Sequence, residues 1–220
     1  FFLLVSCNTD SNISNFPDNF GDIRKAKGYY QEGDKKFKIF RGGTFRTNET
    51  NPFKSLFPVS INHAVSSRIA AQVYQGLVKL DQRTLKVKPL LAKEYNVSED
   101  GKIYTFILND SVFFHDDPCF YGGKGRLMNA YDVKFCFDML CSAIENNTTS
   151  DYLTEIILGA NDYYDATVNG KYSEKGVEGI RVIDNRTIEI ELISSYSYFL
   201  KILSQPCCTI YPKEAYEMYG

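Results

Sequence analysis

Apolar residues fall into a helical rhythm between His63 and Tyr74, where Val65, Ile69, Ala70, Val73 and Tyr74 recur at three- and four-residue steps. That spacing lines one face of a helix, and Gly76 stands where a C-terminal cap is expected. The period then shortens. Leu77 to Asp81 and Leu85 to Lys88, separated by Gln82-Arg83-Thr84, read as a hairpin, and Ile103 to Leu108 reads as a largely buried strand after the Glu99-Asp100-Gly101 turn. The clearest helix runs from Asn129 to Ile144. Asn129 can cap it, Asp132 lies near its positive end, and Val133, Cys136, Phe137, Leu140 and Ile144 form one apolar stripe that reads as core.

Further along, Gly159 to Val168 predicts another helix, and a hairpin follows it. Val177 to Ile183 leads through Asp184-Asn185 to Thr187–Leu192, whose alternation puts Ile188, Ile190 and Leu192 on one face and Glu189 and Glu191 in water. Tyr196 to Leu203 predicts a short helix, Thr209 to Tyr211 a strand, and Pro212 the first turn of a last helix. Before all of these, Phe37, Ile39 and Phe40 predict a first strand within Lys36–Thr47 that enters a Gly42-Gly43 turn. Residues 8–35 carry Asn, Ser, Asp, Gly and Lys without a sustained period, and read as a tether with an irregular lead-in.

Composition narrows the class. Hydrophobic residues make up 44% and charged residues 24%, with a net charge of -2, which fits a packed body and argues against disorder and against a nucleic-acid surface. No stretch after Cys7 approaches the ~20 apolar residues of a membrane span. Phe1 to Ser6, by contrast, form an apolar run that meets Cys7 and then a polar stretch. Leu4-Val5-Ser6-Cys7 resembles a bacterial lipobox, in which a small residue precedes the cysteine that carries lipid. The missing Met and charged leader imply that residues 1–7 are the end of a truncated signal peptide. Everything downstream is then expected outside the cytoplasm, held at a membrane only through the lipid on Cys7.

With Cys7 set aside, Cys119, Cys136, Cys141, Cys207 and Cys208 remain, an odd number without any Cys-x-x-Cys spacing. They cannot all pair within the chain, and most read as small buried residues. Enzyme motifs are absent. The sharpest catalytic alternative is a metal-dependent hydrolase on His115, Asp116 and Asp117, but adjacent strand residues point to opposite faces and converge poorly on one ion. Gly122-Gly123-Lys124-Gly125-Arg126 lacks the spacing of a phosphate loop and reads as a flexible connection.

One ordered set of motifs is more specific. Tyr74-Gln75-Gly76-Leu77, Pro89-Leu90-Leu91-Ala92, Asp100-Gly101, Phe113-Phe114-His115-Asp116 and Asn129-Ala130-Tyr131-Asp132-Val133 resemble the N-terminal lobe of the extracellular solute-binding proteins, family 5. The chain departs from that pattern at Gln75, Asp117 and Asn129. The resemblance covers about residues 36 to 219. It implies an α+β fold, the periplasmic-binding-protein-like class II N-terminal lobe, with a mixed β-sheet, flanking helices and the second lobe missing. Residues 36–220 would be this incomplete lobe. It also implies a non-enzymatic monomer without cofactor or metal that captures an oligopeptide or similar small solute for an ABC permease of the inner membrane. Nickel chelates, haem, sugars and opines stay open as ligands, as does a surface lipoprotein unconnected with transport. The positions carried over to the ligand wall are Thr44, Phe45 and Arg46 after the first strand and Tyr152 after the long helix.

Overall fold

The computed structural model describes residues 24–32, 35–41, 48, 49 and 51–220, the first two stretches as backbone alone. Two compact units divide the chain at Pro52/Phe53. In the first, β1 (Arg24–Glu32) pairs antiparallel with β2 (Lys35–Arg41), in a register running from Arg24 opposite Arg41 to Glu32 opposite Lys35. The strand expected after Lys36 is therefore present, whereas the lead-in expected to stay irregular to residue 35 contains β1. Its sequence, Arg-Lys-Ala-Lys-Gly-Tyr-Tyr-Gln-Glu, has no alternation of apolar and polar positions to betray a strand; pairing with β2 supplies what the pattern lacks.

The second unit is built on a four-stranded sheet of β5 (Ala92–Val97), β6 (Ile103–Leu108), β7 (Ile180–Asp184) and β8 (Thr187–Glu191), in the order β5-β6-β8-β7. All its pairings are antiparallel, as is the small hairpin of β3 (Val78–Leu80) and β4 (Val87–Pro89). No parallel pair occurs among the described residues, so the expected mixed sheet is corrected to an antiparallel one. The local reason is the tight Asp184-to-Thr187 turn, which folds β7 back on β8 and leaves β8 to lie beside β6.

Alternation decides the faces. Tyr104, Phe106 and Leu108 on β6 and Ile188 and Ile190 on β8 turn inward, and each is nearly or fully buried. Tyr104 lies opposite Ile190 and Phe106 opposite Ile188. On the other face, Glu189 and Glu191 are not simply in water. Both accept hydrogen bonds from Arg181 of β7, the second at 2.6 Å, so an ion-paired cross-strand clamp covers that surface.

Between β6 and β7 the chain leaves the sheet to form α2 (Ala130–Leu140) and α3 (Ala160–Val168). The stripe of α2 is core as expected: Val133, Cys136, Phe137 and Leu140 are buried, while Ile144 lies beyond the helix and is half-buried. After β8 come the short α4 (Phe199–Ile202) and α5 (Lys213–Tyr219). Phe199 meets Tyr104 edge to face with ring centroids 4.7 Å apart, which docks α4 on the sheet.

Two local expectations change. α1 (Ala64–Val73) ends at Tyr74, whose N–H bonds Ala70 O, and Gly76 is not its cap. Gly76 instead forms a single antiparallel bridge with Thr209, and a Cβ there would lie 3.2 Å from Leu203 O and 3.3 Å from Cys208 O. Glycine eases that close backbone approach, since a Cβ would press on both carbonyls. Thr209 to Tyr211, expected as a strand, contributes only this bridge.

All five described cysteines are free thiols, and all but Cys119 are buried. Cys136 Sγ receives the Tyr211 N–H at 3.3 Å, and burial pushes the thiols of Cys136 and Cys141 well up. The sulfurs of Cys207 and Cys208 stand 3.9 Å apart without bridging.

Candidate functional site

Tyr152 ends a 3-10 turn, Ser150–Tyr152, that would wander if its neighbours were not fastened. Asn147 does much of the fastening: its amide donates to Leu140 O at 2.9 Å and Ser142 O at 2.7 Å, closing the chain behind α2. Thr149 Oγ1 then donates to Val59 O at 2.8 Å. Beyond the turn, Leu153 and Ile157 are fully buried, and Ile157 bridges Leu192 just past the end of β8. The Ile193 N–H bonds Ile156 O at 2.9 Å. Tyr152 is thus held on a short segment pinned to the sheet at one end and to α2 at the other.

An open cleft of about 570 Å³ lies beside it, lined by Asp151, Tyr152, Glu155, Ile156, Ser194, Tyr196 and Ile202. Tyr152 is 45% exposed and Tyr196 41%, so both residues are open to solvent. The volume lies within the ~300 to 1,000 Å³ typical of small-molecule sites. Of the ligand-wall positions expected from the sequence, Tyr152 lines this cleft. Thr44, Phe45 and Arg46, like Cys7, lie outside the described residues.

The segment around His115, where only Phe113 forms an isolated bridge, to Leu127, is organised differently from a metal centre. Asp116 accepts from Lys124 Nζ at 2.6 Å and from the Gly125 N–H at 3.0 Å, and these bonds hold its carboxyl below the ordinary value. Asp117 accepts from the Cys119 N–H at 2.9 Å and from the Tyr219 hydroxyl at 2.8 Å. The two carboxylates serve different turns. Among the described residues, no group of three or more His, Cys, Asp or Glu could hold a metal ion. The glycines nearby have a structural purpose as well: a Cβ on Gly125 would fall 1.9 Å from Phe114 O, so only glycine lets the two loop arms pass.

Arg126, which in the sequence is only the end of that glycine-rich connection, is a central tie in the structure. Its Nη2 donates to Asp132 Oδ1 and its Nε to Glu214 Oε1, both at 2.6 Å, and the guanidinium carbon lies 5.3 Å from the centre of the Phe114 ring. One side chain therefore ties the loop to the start of α2 and to α5. Asp132 has a second duty, accepting from the Asn129 N–H at 2.9 Å while Asn129 Oδ1 accepts from the Tyr131 N–H at 2.9 Å. This reciprocal capping fixes where α2 begins. The Asn-x-x-Asp spacing hints at the cap, but nothing local in the sequence links Arg126 to Glu214.

The chain's relatives bind solutes. Residues 86–218, more than half of the chain, match the family described as bacterial extracellular solute-binding proteins, family 5 Middle. The glutathione-binding protein GsiB of Salmonella typhi is 32% identical over 168 residues, covering 76% of this chain and 27% of its own length. GsiB of Escherichia coli strain K12 is 29% identical over the same span. The periplasmic oligopeptide-binding protein OppAIV of Borrelia burgdorferi superposes with a TM-score of 0.64 at 29% identity, covering 76% of this chain and 31% of that one. OppA of Burkholderia pseudomallei shares the fold at a TM-score of 0.60 and 23% identity. The chain thus spans about 27% of the length of its curated relatives. That family is one of binding proteins and not of enzymes. By the extent of this match, the chain belongs to the bacterial extracellular solute-binding proteins, family 5.

Proposed function

We propose that this chain is part of the solute-binding component of an ABC importer, and that it forms one wall of a site for a peptide or a small peptide-like solute such as glutathione. The family match over residues 86–218 is the observation that carries the reading. Residues 36–220 act as the first lobe, residues 8–35 lead into it, and residues 1–7 are the end of a signal peptide. Thr44, Phe45, Arg46 and Tyr152 contribute to the ligand wall. An extended ligand is held chiefly through its main chain, as an added strand is, while roomy pockets tolerate varied side chains. A permease of the inner membrane receives the solute, and the protein works as a monomer outside the cytoplasm.

The share of the relatives' length covered leads to a measurable expectation. A solute in its site has ~70 to 90% of its surface buried, and one wall cannot supply that. Calorimetry with a random peptide mixture should show micromolar or tighter binding by the full-length protein. Residues 8–220 alone should bind at least ~100-fold more weakly, a loss of about 2.7 kcal/mol. Equal binding by the two would place the whole site within this chain and remove the two-walled capture mechanism.

Anchoring through Cys7 has its own test. Full-length protein produced in a native-like host should fractionate with membranes and carry a lipid mass, and Cys7→Ala should release it to the soluble fraction. Retention of that variant in the membrane would refute the anchor without touching solute capture.

A further inference from the structure

We infer that the cleft beside Tyr152 selects solutes bearing a basic side chain, a lysine ammonium or an arginine guanidinium, an inference that rests on the capture role proposed above. Its lining contains Asp151 and Glu155 and neither Lys nor Arg, so the charges lining it are negative. Both carboxylates are on exposed residues. Several other acidic groups of this unit are committed to cations: Asp132 and Glu214 hold Arg126, Glu189 and Glu191 hold Arg181, and Asp81 holds Lys88. Asp151 and Glu155 make no ion pair or side-chain hydrogen bond with the described residues, and they stand at one rim of a built concavity.

The rest of the wall suits the stem of such a side chain. Ile156 and Ile202 are half-buried and offer an apolar floor, against which the methylenes of lysine or arginine can lie while the charged head stays near water. Tyr152 and Tyr196 bring two aromatic rings to the lining, and a ring face attracts a cation approaching within about 6 Å of its centre. Arginine is favoured among cations on such faces because its guanidinium is planar and weakly hydrated. The cation–π contact of Lys201 Nζ with Tyr198, 4.8 Å from the ring centre, uses residues outside the lining, and Tyr198 in turn packs on Tyr196 with ring centres 6.5 Å apart. A neutral apolar solute gains only the floor; an acidic one is repelled by both carboxylates.

The test uses the full-length protein and an equimolar random tripeptide library at low ionic strength, with the retained peptides identified and quantified by mass spectrometry. Lys- and Arg-containing peptides should be enriched at least ~10-fold over the library, equivalent to ~1.4 kcal/mol. In the Asp151→Asn/Glu155→Gln double variant, checked to melt cooperatively like the unaltered protein, that enrichment should fall to within about twofold of the library. Absence of basic enrichment, or enrichment that survives the double substitution, would overturn the selection and leave capture standing. Retention of no peptide at all by the unaltered protein would remove peptide capture itself, and this inference with it.

Discussion

Truncation of Phe137 to alanine is expected to lower the unfolding free energy by about 3–5 kcal/mol, the range found for deleting a buried phenylalanine ring. Phe137 is fully buried on the stripe of α2 and belongs to the same core cluster as Phe106, Ile188 and Ile190 of the sheet. Its removal leaves a ring-sized void against a sheet fixed on both sides by neighbouring strands, so little collapse can refill it. In a unit of this size each kcal/mol shifts the melting temperature by roughly 2–4 °C. Tyr131, on the same helix but 59% exposed, provides the control: Tyr131→Ala should stay within about 0.5 kcal/mol. Urea titration should show a lower midpoint with an unchanged slope, and a loss below ~1 kcal/mol for Phe137→Ala would mean that α2 is not docked as described.

Replacing Arg126 with leucine should cost about 3 kcal/mol, the lower end of the range for removing one partner of a buried ion pair. The lower end applies because the side chains of Arg126 and Glu214 are each 33% exposed, whereas that of Asp132 is only 3% exposed and is left facing an apolar stem. The pH dependence gives the signature. Arg126 lowers the Glu214 carboxyl below its ordinary value of 4.5, so the unfolded chain takes up that proton first. The stability this pairing contributes is present above pH ~4.5 and is lost as pH falls through the lower folded value. The gap between Arg126→Leu and the unaltered protein should therefore be widest near neutrality and narrow in acid. A gap independent of pH would show that Arg126 acts through packing on Phe114 alone.

The elements most legible in the sequence are those whose period and caps agree. Asn129 and Asp132 frame α2, and the alternation of Ile188, Ile190 and Leu192 sets the inward face of β8. What stayed hidden depends on partners distant along the chain. β1 has no alternation and is a strand because β2 pairs with it; Gly76 resembles a helix cap locally but serves a contact with the backbone of Leu203 and Cys208. The candidate site divides the same way. Tyr152 was reachable through family resemblance, while Asp151 and Glu155 carry no motif, and only the fold brings Ser194, Tyr196 and Ile202 across from them.

The excursion that carries α2 and α3 also has a kinetic meaning. β6 is complete at Leu108, yet the partner strand on its inner side, β8, begins only at Thr187. Emerging from a ribosome or a translocation pore in chain order, β6 can find β5 at once, but not β8 until everything between them has followed. Such non-local pairing must overcome loop closure before it is rewarded, and it slows folding. A chain that stays unpaired until late remains threadable, as the export proposed above would require. Hydrogen-exchange labelling during refolding should accordingly protect the amides shared by β5 and β6 before those shared by β6 and β8.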